Sequence, residues 1–380
     1  MHWFLVVVVV LSGGLVVWTY LGYPVFISLL ARWRPRPHQR GPLTPSVSLI
    51  VPAYNEEATI GMKLANVLEL DYPSDLLEMI VITDGSTDRT ARIVEGFASC
   101  GVHLLDQPER QGKIAAMNRA VPYAHNDILI FSDANAMMER DSIRQIVPNF
   151  ADLQVACVSG EKHIQLNDQV QAEGESAYWR YEAFVKRADS LANTAIGAIG
   201  EFFAIRRMLY QPLETDSLIE DFVLSMKLVM QGWRVVYEPR AVTREEASPS
   251  MRGEWRRRVR IAAGGFQAMH RLRGLLSPRY GLTAFQYVSH KVLRWLAPFF
   301  MIIAFVANVS LLDIAVLRWI FWLQSTFYAS ALLGWVLESL GVGFKPLRIV
   351  FYFCFGNAAM LGGFVRHLTK SQSVLWDKAR

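Results

Sequence analysis

The chain has 380 residues, is 52% hydrophobic and carries a formal charge of +5 at neutral pH, so it can hold one or two domains but is more apolar than ordinary soluble proteins. The positive charge does not call for a nucleic-acid partner. Basic residues cluster after the first apolar segment and again from Arg252 to Arg294, where anionic headgroups or a phosphate-bearing substrate would meet them, and no nucleic-acid motif accompanies them.

In chain order, the first element is an uncharged run from Trp3 to Leu30, longer than the roughly 20 residues that a helix needs to cross a bilayer. No basic segment precedes it and no small-residue cleavage pattern follows, so it reads as a membrane span rather than a signal peptide. Arg32, Arg34, Arg36 and Arg40 follow at once, which places the next block in the cytoplasm and the N-terminus outside. Cys100, Cys157 and Cys354 have no paired or metal-like spacing and read as packing residues of a reducing compartment.

The polar block then alternates strand-like and helix-like runs. VSLIVPAY precedes a helix from about Ala58, EMIVITD one from about Thr90, VHLLD one from about Lys113, and DILIFSD one from about Asp141, before VACVSG. This alternation predicts a parallel α/β sheet whose ligand lies beyond the carboxyl ends of the strands. Those ends are acidic or polar: Asn55-Glu56-Glu57, Asp84 to Asp88, and Asp133-Ala134-Asn135. Helix capping accounts equally well for Asn55, Ser86 and Asp88. Neither a P-loop nor a dinucleotide fingerprint occurs at a strand end, and oxygen-rich strand ends suit Mg²⁺ or Mn²⁺ bridging to a diphosphate.

Further along, Glu220-Asp221 opens an amphipathic helix, Phe222 to Gln231, whose first-turn acids also favour the helix dipole. From Ala262 to Trp295 aromatic and basic residues alternate as in helices lying on a membrane. Three uncharged stretches follow, Trp295 to Leu312, Trp319 to Leu337 and Ile349 to Val365, separated by Arg318, Glu338, Lys345 and Arg348. Together with the first they give four spans. Parity and charge then disagree: three C-terminal crossings leave the tail outside, yet it carries Arg366, Lys370, Lys378 and Arg380. Either one segment is re-entrant or lies flat in the interface, or the first span dominates orientation.

VSLIVPAYNEE, VITDGSTDRT, QGKIAAMNRA, IFSDANAMM and IEDFVLSMKL, in this order and spacing, resemble the membrane-embedded family 2 glycosyltransferases, relatives of cellulose, chitin and hyaluronan synthases. The resemblance implies a GT-A (Rossmann-like) cytoplasmic domain over residues 45–250, between an N-terminal transmembrane helix at 1–31, interfacial amphipathic helices at 251–294 and a transmembrane region of about three helices at 295–367. It implies that Ala53, Tyr54 and Glu56 line a nucleoside pocket, that Asp84 contacts the base and that Lys113 lies near the nucleotide. Asp133 becomes the first acid of a DxD metal site, with Asn135 in place of the second, and Thr83 stands where many relatives have another Asp. Asp221 matches the catalytic base.

In EWRRRVRI, Arg258 and Arg260 match the basic positions of the processive synthases' Q(Q/R)xRW signature and would meet the leaving diphosphate, while Arg257 replaces its Gln and Ile261 its Trp. For Arg256 and Arg257 an interfacial helix meeting lipid phosphates is an equal reading. Gly197 to Arg207 resembles the strand that frames the acceptor, with Glu201 an unexplained acid; Trp179 and Tyr181 either stack on sugar or pack in the core. The resemblance thus implies an inverting, Mg²⁺- or Mn²⁺-dependent transferase of a cytoplasmic membrane that uses a nucleotide-sugar, UDP-linked in most relatives. Its acceptor is a lipid-linked or saccharide group, and membrane lipids, a homo-oligomer or accessory export subunits are its further partners. A processive synthase that exports its polymer is the alternative. A nucleotidyltransferase and a silent nucleotide-binding scaffold are readings from other classes.

Overall fold

The computed structural model describes residues 2–165, 170–248, 250–342 and 344–375, with side chains described outside 170–173. The first apolar segment is one long rod made of α1 (His2–Val17), a π-helical turn (Trp18–Gly22) and α2 (Tyr23–Trp33). It ends where the chain turns basic.

An eight-stranded sheet follows, in the order β3-β2-β1-β4-β7-β6-β8-β5. Its strands are β1 (Val47–Ala53), β2 (Leu77–Thr83), β3 (Val102–Leu105), β4 (Ile128–Ser132), β5 (Met137–Met138), β6 (Val155–Gln165), β7 (Phe202–Arg206) and β8 (Arg234–Glu246). The helices between them are α3 (Ile60–Leu68), α4 (Thr90–Glu95), α5 (Lys113–Ala120), α6 (Ser142–Ile146), α7 (Val170–Ala192) and α8 (Glu220–Met230). The expected parallel order holds for β3, β2, β1 and β4, and β6 and β8 also run parallel. It fails at β7 and β5. β7 is antiparallel to both β4 and β6, and β5 is antiparallel to β8, so the sheet is mixed. No hydrophobic pattern announces this, because a strand buried on both faces reads as an apolar run in either direction.

Alternation along β1 divides the core into two layers. Val47, Leu49 and Val51 join Ile60, Leu64 and Val67 of α3, whereas Ile50 joins Ile114 and Met117 of α5 and Leu224 and Leu228 of α8. The sheet is thereby covered on both sides and opens at its carboxyl edge.

Beyond β8 come α9 (Met251–Arg271), two single-turn 3₁₀ segments, α10 (Leu282–Tyr287), a second π-helical turn (Val288–Val292), α11 (Leu293–Val309), α12 (Ala315–Ser339) and α13 (Lys345–Leu368). Among the described residues four helices are long and apolar enough to cross a membrane: His2–Trp33, Leu282–Val309, Ala315–Ser339 and Lys345–Leu368. The second begins 13 residues before the expected Trp295, because His290, Lys291 and Arg294 are not solvated there but turn inward against α7. The two π-helical turns meet each other, Trp18 Nε1 donating to Ser289 Oγ at 3.2 Å.

α13 lies along α9. An added β-carbon on Gly363 would stand 2.4 Å from Ala262 Cβ, and one on Gly362 3.2 Å from Val259, so only glycine permits this approach. Of the cysteines, Cys157 is buried in the core but Cys100 is exposed, which is no packing position.

Candidate active site

β4 stops at Ser132 for a reason that lies in α3. The ammonium of Lys63 is fully buried and donates to Ser132 Oγ at 2.8 Å and to the Ala136 carbonyl, clamping both ends of the turn that carries Asp133. Burial pushes Lys63 down to about 7, the cost of fixing that turn.

Asp133 Oδ1 lies 2.6 Å from Lys113 Nζ at the start of α5, and Glu220 Oε1 lies 2.7 Å from the same ammonium. Asp221 borders the same space: a β-carbon on Gly200 would stand 3.5 Å from Asp221 Oδ2 and 3.6 Å from Lys113 Nζ. Acids from β4 and α8, 88 positions apart in the chain, therefore share one crevice at the carboxyl edge of the sheet. Burial, with Glu201 and Glu220 adding to it, pushes Asp133 up to about 6 against the pull of Lys113. Burial and the neighbouring Glu220 push Asp221 up to about 7. Burial alone would discharge Lys113, but Asp133 and Glu220 overcome it and hold the ammonium charged.

The strand-end loops are tied to one another. Asn55 N donates to Ser86 Oγ at 3.1 Å, Thr87 N to Asn55 Oδ1 at 2.8 Å, and Thr90 N to Asp88 Oδ1 at 2.9 Å, so these three residues take the capping and bracing roles. Asp84 is fully buried. Its carboxylate accepts from Gln111 N at 3.0 Å, Gly112 N at 2.6 Å and Arg119 at 3.3 Å, which folds the 107–112 loop over the end of β2. The loop passes so close to Gly85 that a β-carbon there would stand 2.6 Å from Arg110 N. The Arg110 guanidinium then stacks 3.7 Å from the centre of the Tyr54 ring. Ala53 is buried beneath, and Glu56 accepts from Thr59 Oγ1 at 2.5 Å.

Residues 48–213 match the family model described as Glycosyl transferase family 2. The chain carries a family 2 glycosyltransferase domain. Among curated proteins it is similar to the poly-beta-1,6-N-acetyl-D-glucosamine synthase of Staphylococcus aureus, 29% identical over 231 residues, which are 59% of this chain and 56% of that protein. The namesake from Staphylococcus epidermidis is 27% identical over 274 residues, 66% of each. The chain thus spans about half the length of the first of these relatives. Among solved structures, a mannosyltransferase from Pyrobaculum calidifontis in complex with GDP-Man and Mn²⁺ superposes with a TM-score of 0.74 and 26% identity, over 96% of this chain and all of that one. The sheet described above is accordingly a GT-A glycosyltransferase fold.

Around the glycosyltransferase crevice the remaining expected residues divide. Asn135 donates through Nδ2 to Glu245 Oε1 at 2.7 Å, and Glu245 pairs with Lys162. Lys162 also lies 2.6 Å from Glu201, the acid left without a partner by sequence reasoning, and despite burial holds it down at about 2. Arg260 faces the cluster, its charge helping to keep Glu220 low. Arg258 does not approach it as directly: it pairs with Glu254 and stacks 4.9 Å from the Tyr178 ring. Arg257 pairs with Glu175 and Glu254 inside the protein, which settles it as a buried ion pair rather than a lipid contact. Trp179 covers Lys162 at 4.9 Å, while the Tyr181 hydroxyl donates to the Tyr20 carbonyl and anchors the first apolar rod. Lys63 and Lys162 were not legible as site residues: Lys63 is a lone lysine on the apolar face of α3 that carries Ile60, Leu64 and Val67, whereas Lys162 sits between Glu161 and His163 in a polar stretch of β6 that gives no sign of its burial.

Proposed function

We propose that the protein transfers a glycosyl group from a nucleoside diphosphate sugar to a hydroxyl of a membrane-associated acceptor, by single displacement with inversion. The observation that carries this reading is the convergence of Asp133 and Asp221 on Lys113. Asp221, pushed up to about 7, has the proton affinity of a general base working near neutrality: it takes the acceptor hydroxyl proton as the anomeric carbon is attacked. Lys113 and Arg260 stand where a departing diphosphate gathers charge, and the Tyr54–Arg110 stack offers a flat slot for a base.

A hard divalent cation suits this crevice, because the carboxyl oxygens of Asp133, Glu220 and Asp221 gather around Lys113 at the open edge of the sheet, where oxygen ligands are what such a cation takes. Asp133 and the carbonyl oxygen of Asn135 would hold it. When bound, Mg²⁺ or Mn²⁺ would neutralise the leaving diphosphate. The neutral Asn135 gives less charge compensation than a second Asp, and Glu245 beside it supplies a compensating carboxylate.

Thermal stabilisation of the purified chain tests the donor, with UDP-sugars as the first arm and GDP-sugars as the second, because the superposed mannosyltransferase held GDP-Man. A hundredfold excess over the dissociation constant stabilises by about 2.7 kcal/mol. Asp221→Asn should lower transfer by 10² to 10⁴ and keep the donor-dependent shift. Unchanged turnover in that variant removes Asp221 from the role. Limited addition is favoured over polymer export: Ile261 stands where the processive signature has Trp, and the full-length superposition is with a mannosyltransferase.

The same reading assigns the sheet domain to the cytoplasmic side and α13 to the membrane surface rather than to a fourth crossing. Asn357, midway along α13, accepts from the Tyr20 hydroxyl at 3.1 Å, Phe364 near its carboxyl end lies 4.9 Å from Phe299, and Arg348 near its amino end pairs with Glu338 at the end of α12 at 3.3 Å, so α13 touches the domain-proximal parts of the spans along its length. Val374 comes within 3.6 Å of a β-carbon built on Gly112, which puts the chain at 374–375 beside the sheet; Lys378 and Arg380 lie outside the described residues. Three crossings then satisfy both parity and charge.

A further inference from the structure

Asn135 stands where the family resemblance expects a second acid, and the residue behind it explains the exchange. β5 pairs antiparallel with β8, Met137 opposite Arg244, so the turn that carries Asp133 and Asn135 leads into a strand lying against the last residues of β8. Alternation along β8 then decides which of those residues the turn meets. Thr243 and Glu245 are buried while Arg244 and Glu246 are exposed, so Glu245 faces inward and reaches Asn135. Lys162 points inward from β6 by the same alternation, between the more exposed Glu161 and His163.

The two oxygens of Glu245 have different partners. Oε2 pairs with the Lys162 ammonium, and Oε1 accepts from Asn135 Nδ2 at 2.7 Å. Lys162 lies also 2.6 Å from Glu201, whose backbone carbonyl accepts from Ser132 Oγ at 3.1 Å, so the same lysine braces the turn from its other side. An ammonium only donates, and the carboxylate it holds only accepts. The Asn135 amide therefore has a single orientation: its amino group faces Glu245, and its side-chain carbonyl oxygen, on the other branch of the same carbon, is turned away. Aspartate would fit this place worse. It would set an oxygen in the position of Nδ2, 2.7 Å from Glu245 Oε1, with no proton between the two.

We infer that Glu245 is a positioning residue of the cation site: paired with Lys162, it turns the side-chain carbonyl oxygen of Asn135 toward the cation, and it makes asparagine a better ligand at this position than aspartate. The inference rests on the reading of Asp133 and Asn135 as cation ligands. An amide whose carbonyl is ligated donates more strongly through its amino group, so the hydrogen bond to Glu245 and the cation reinforce each other.

The probe is Mn²⁺ alone, titrated into the detergent-purified full-length protein and read by the electron paramagnetic resonance of the free ion. Glu245→Gln keeps the shape and changes the chemistry. Lys162 claims the oxygen of the new amide, whose amino group then faces position 135, so Asn135 turns its carbonyl to that group and its own amino group to the cation. Mn²⁺ affinity should fall about 10- to 100-fold. Asn135→Asp should weaken binding too, through the opposed carboxylates. Asn135→Asp/Glu245→Gln should bind about tenfold tighter than either single variant, because the new carboxylate accepts from the new amide with one oxygen and offers the other. A merely structural role for Glu245 would give no such rescue, since the double variant lacks the Glu245 carboxylate as well. Unchanged affinity in Glu245→Gln, tighter binding by Asn135→Asp than by native protein, or a double variant no tighter than the single ones overturns the inference. Asp133→Ala separates it from the reading beneath it. Loss of binding in Asp133→Ala with unchanged affinity in Glu245→Gln overturns this inference alone, whereas undiminished binding in Asp133→Ala, or none in native protein, overturns the cation site and the inference with it.

Discussion

At the scale of single residues, the crevice is held by an ammonium that is outnumbered. Asp133 and Asp221 are both displaced upward, so the folded protein keeps protons that the unfolded chain releases between pH 4 and the two folded values, about 6 and about 7. The folded state therefore binds more protons than the unfolded one in that window, and these groups make stability fall as pH rises through it. Three pKa units would correspond to about 4 kcal/mol for Asp221, reduced by the water that reaches a half-buried carboxylate. Asp221→Asn should accordingly melt higher than native protein at pH 8 and no higher at pH 4, without ligand. Lys113→Gln does the reverse. It leaves Asp133 and Glu220 facing each other and should cost about 2 to 4 kcal/mol in the presence of a chelator, much of it recovered by millimolar Mn²⁺ in a melting experiment.

At the scale of elements, the joint between α9 and α13 depends on the absence of side chains. Gly363→Leu would drive a side chain into Ala262 Cβ and the Ala263 backbone nitrogen and should destabilise by about 1 to 3 kcal/mol. A cysteine pair across α9 and α13 should then crosslink more slowly than in the native background. The same scale separates what the sequence discloses from what it hides. Strands β1, β2 and β4 and their polar ends were legible because alternation of apolar runs with helices is local, and Asp133, Asp221 and Lys113 could be singled out because their motifs stand in a recognisable order. The antiparallel course of β7 was not, nor was the partner of Glu201. Lys162 meets Glu201 through the pairing of β6 with β7, a contact between residues 39 positions apart that no spacing encodes. Arg257 misled for a related reason: an arginine on an amphipathic helix gives no sign of whether it meets lipid or, as here, Glu175 on another helix.

At the scale of the whole molecule, the arrangement of α13 makes a claim about sidedness. Cys100 is exposed on the sheet domain, so in a background lacking the other two cysteines it reports that domain's side. Ser373→Cys should react with a membrane-impermeant maleimide only where Cys100 does, in inverted but not right-side-out vesicles. Labelling of Ser373→Cys from the opposite face restores the fourth crossing. The contact that motivates this experiment also bears on how the protein is handled. Val374 and Leu375 rest against the glycine that leads into Lys113, so a bulky affinity tag fused downstream of them hangs beside the nucleotide entrance. A tag at the opposite terminus should report the unencumbered donor affinity, and a C-terminal one a weaker value that recovers on proteolytic removal.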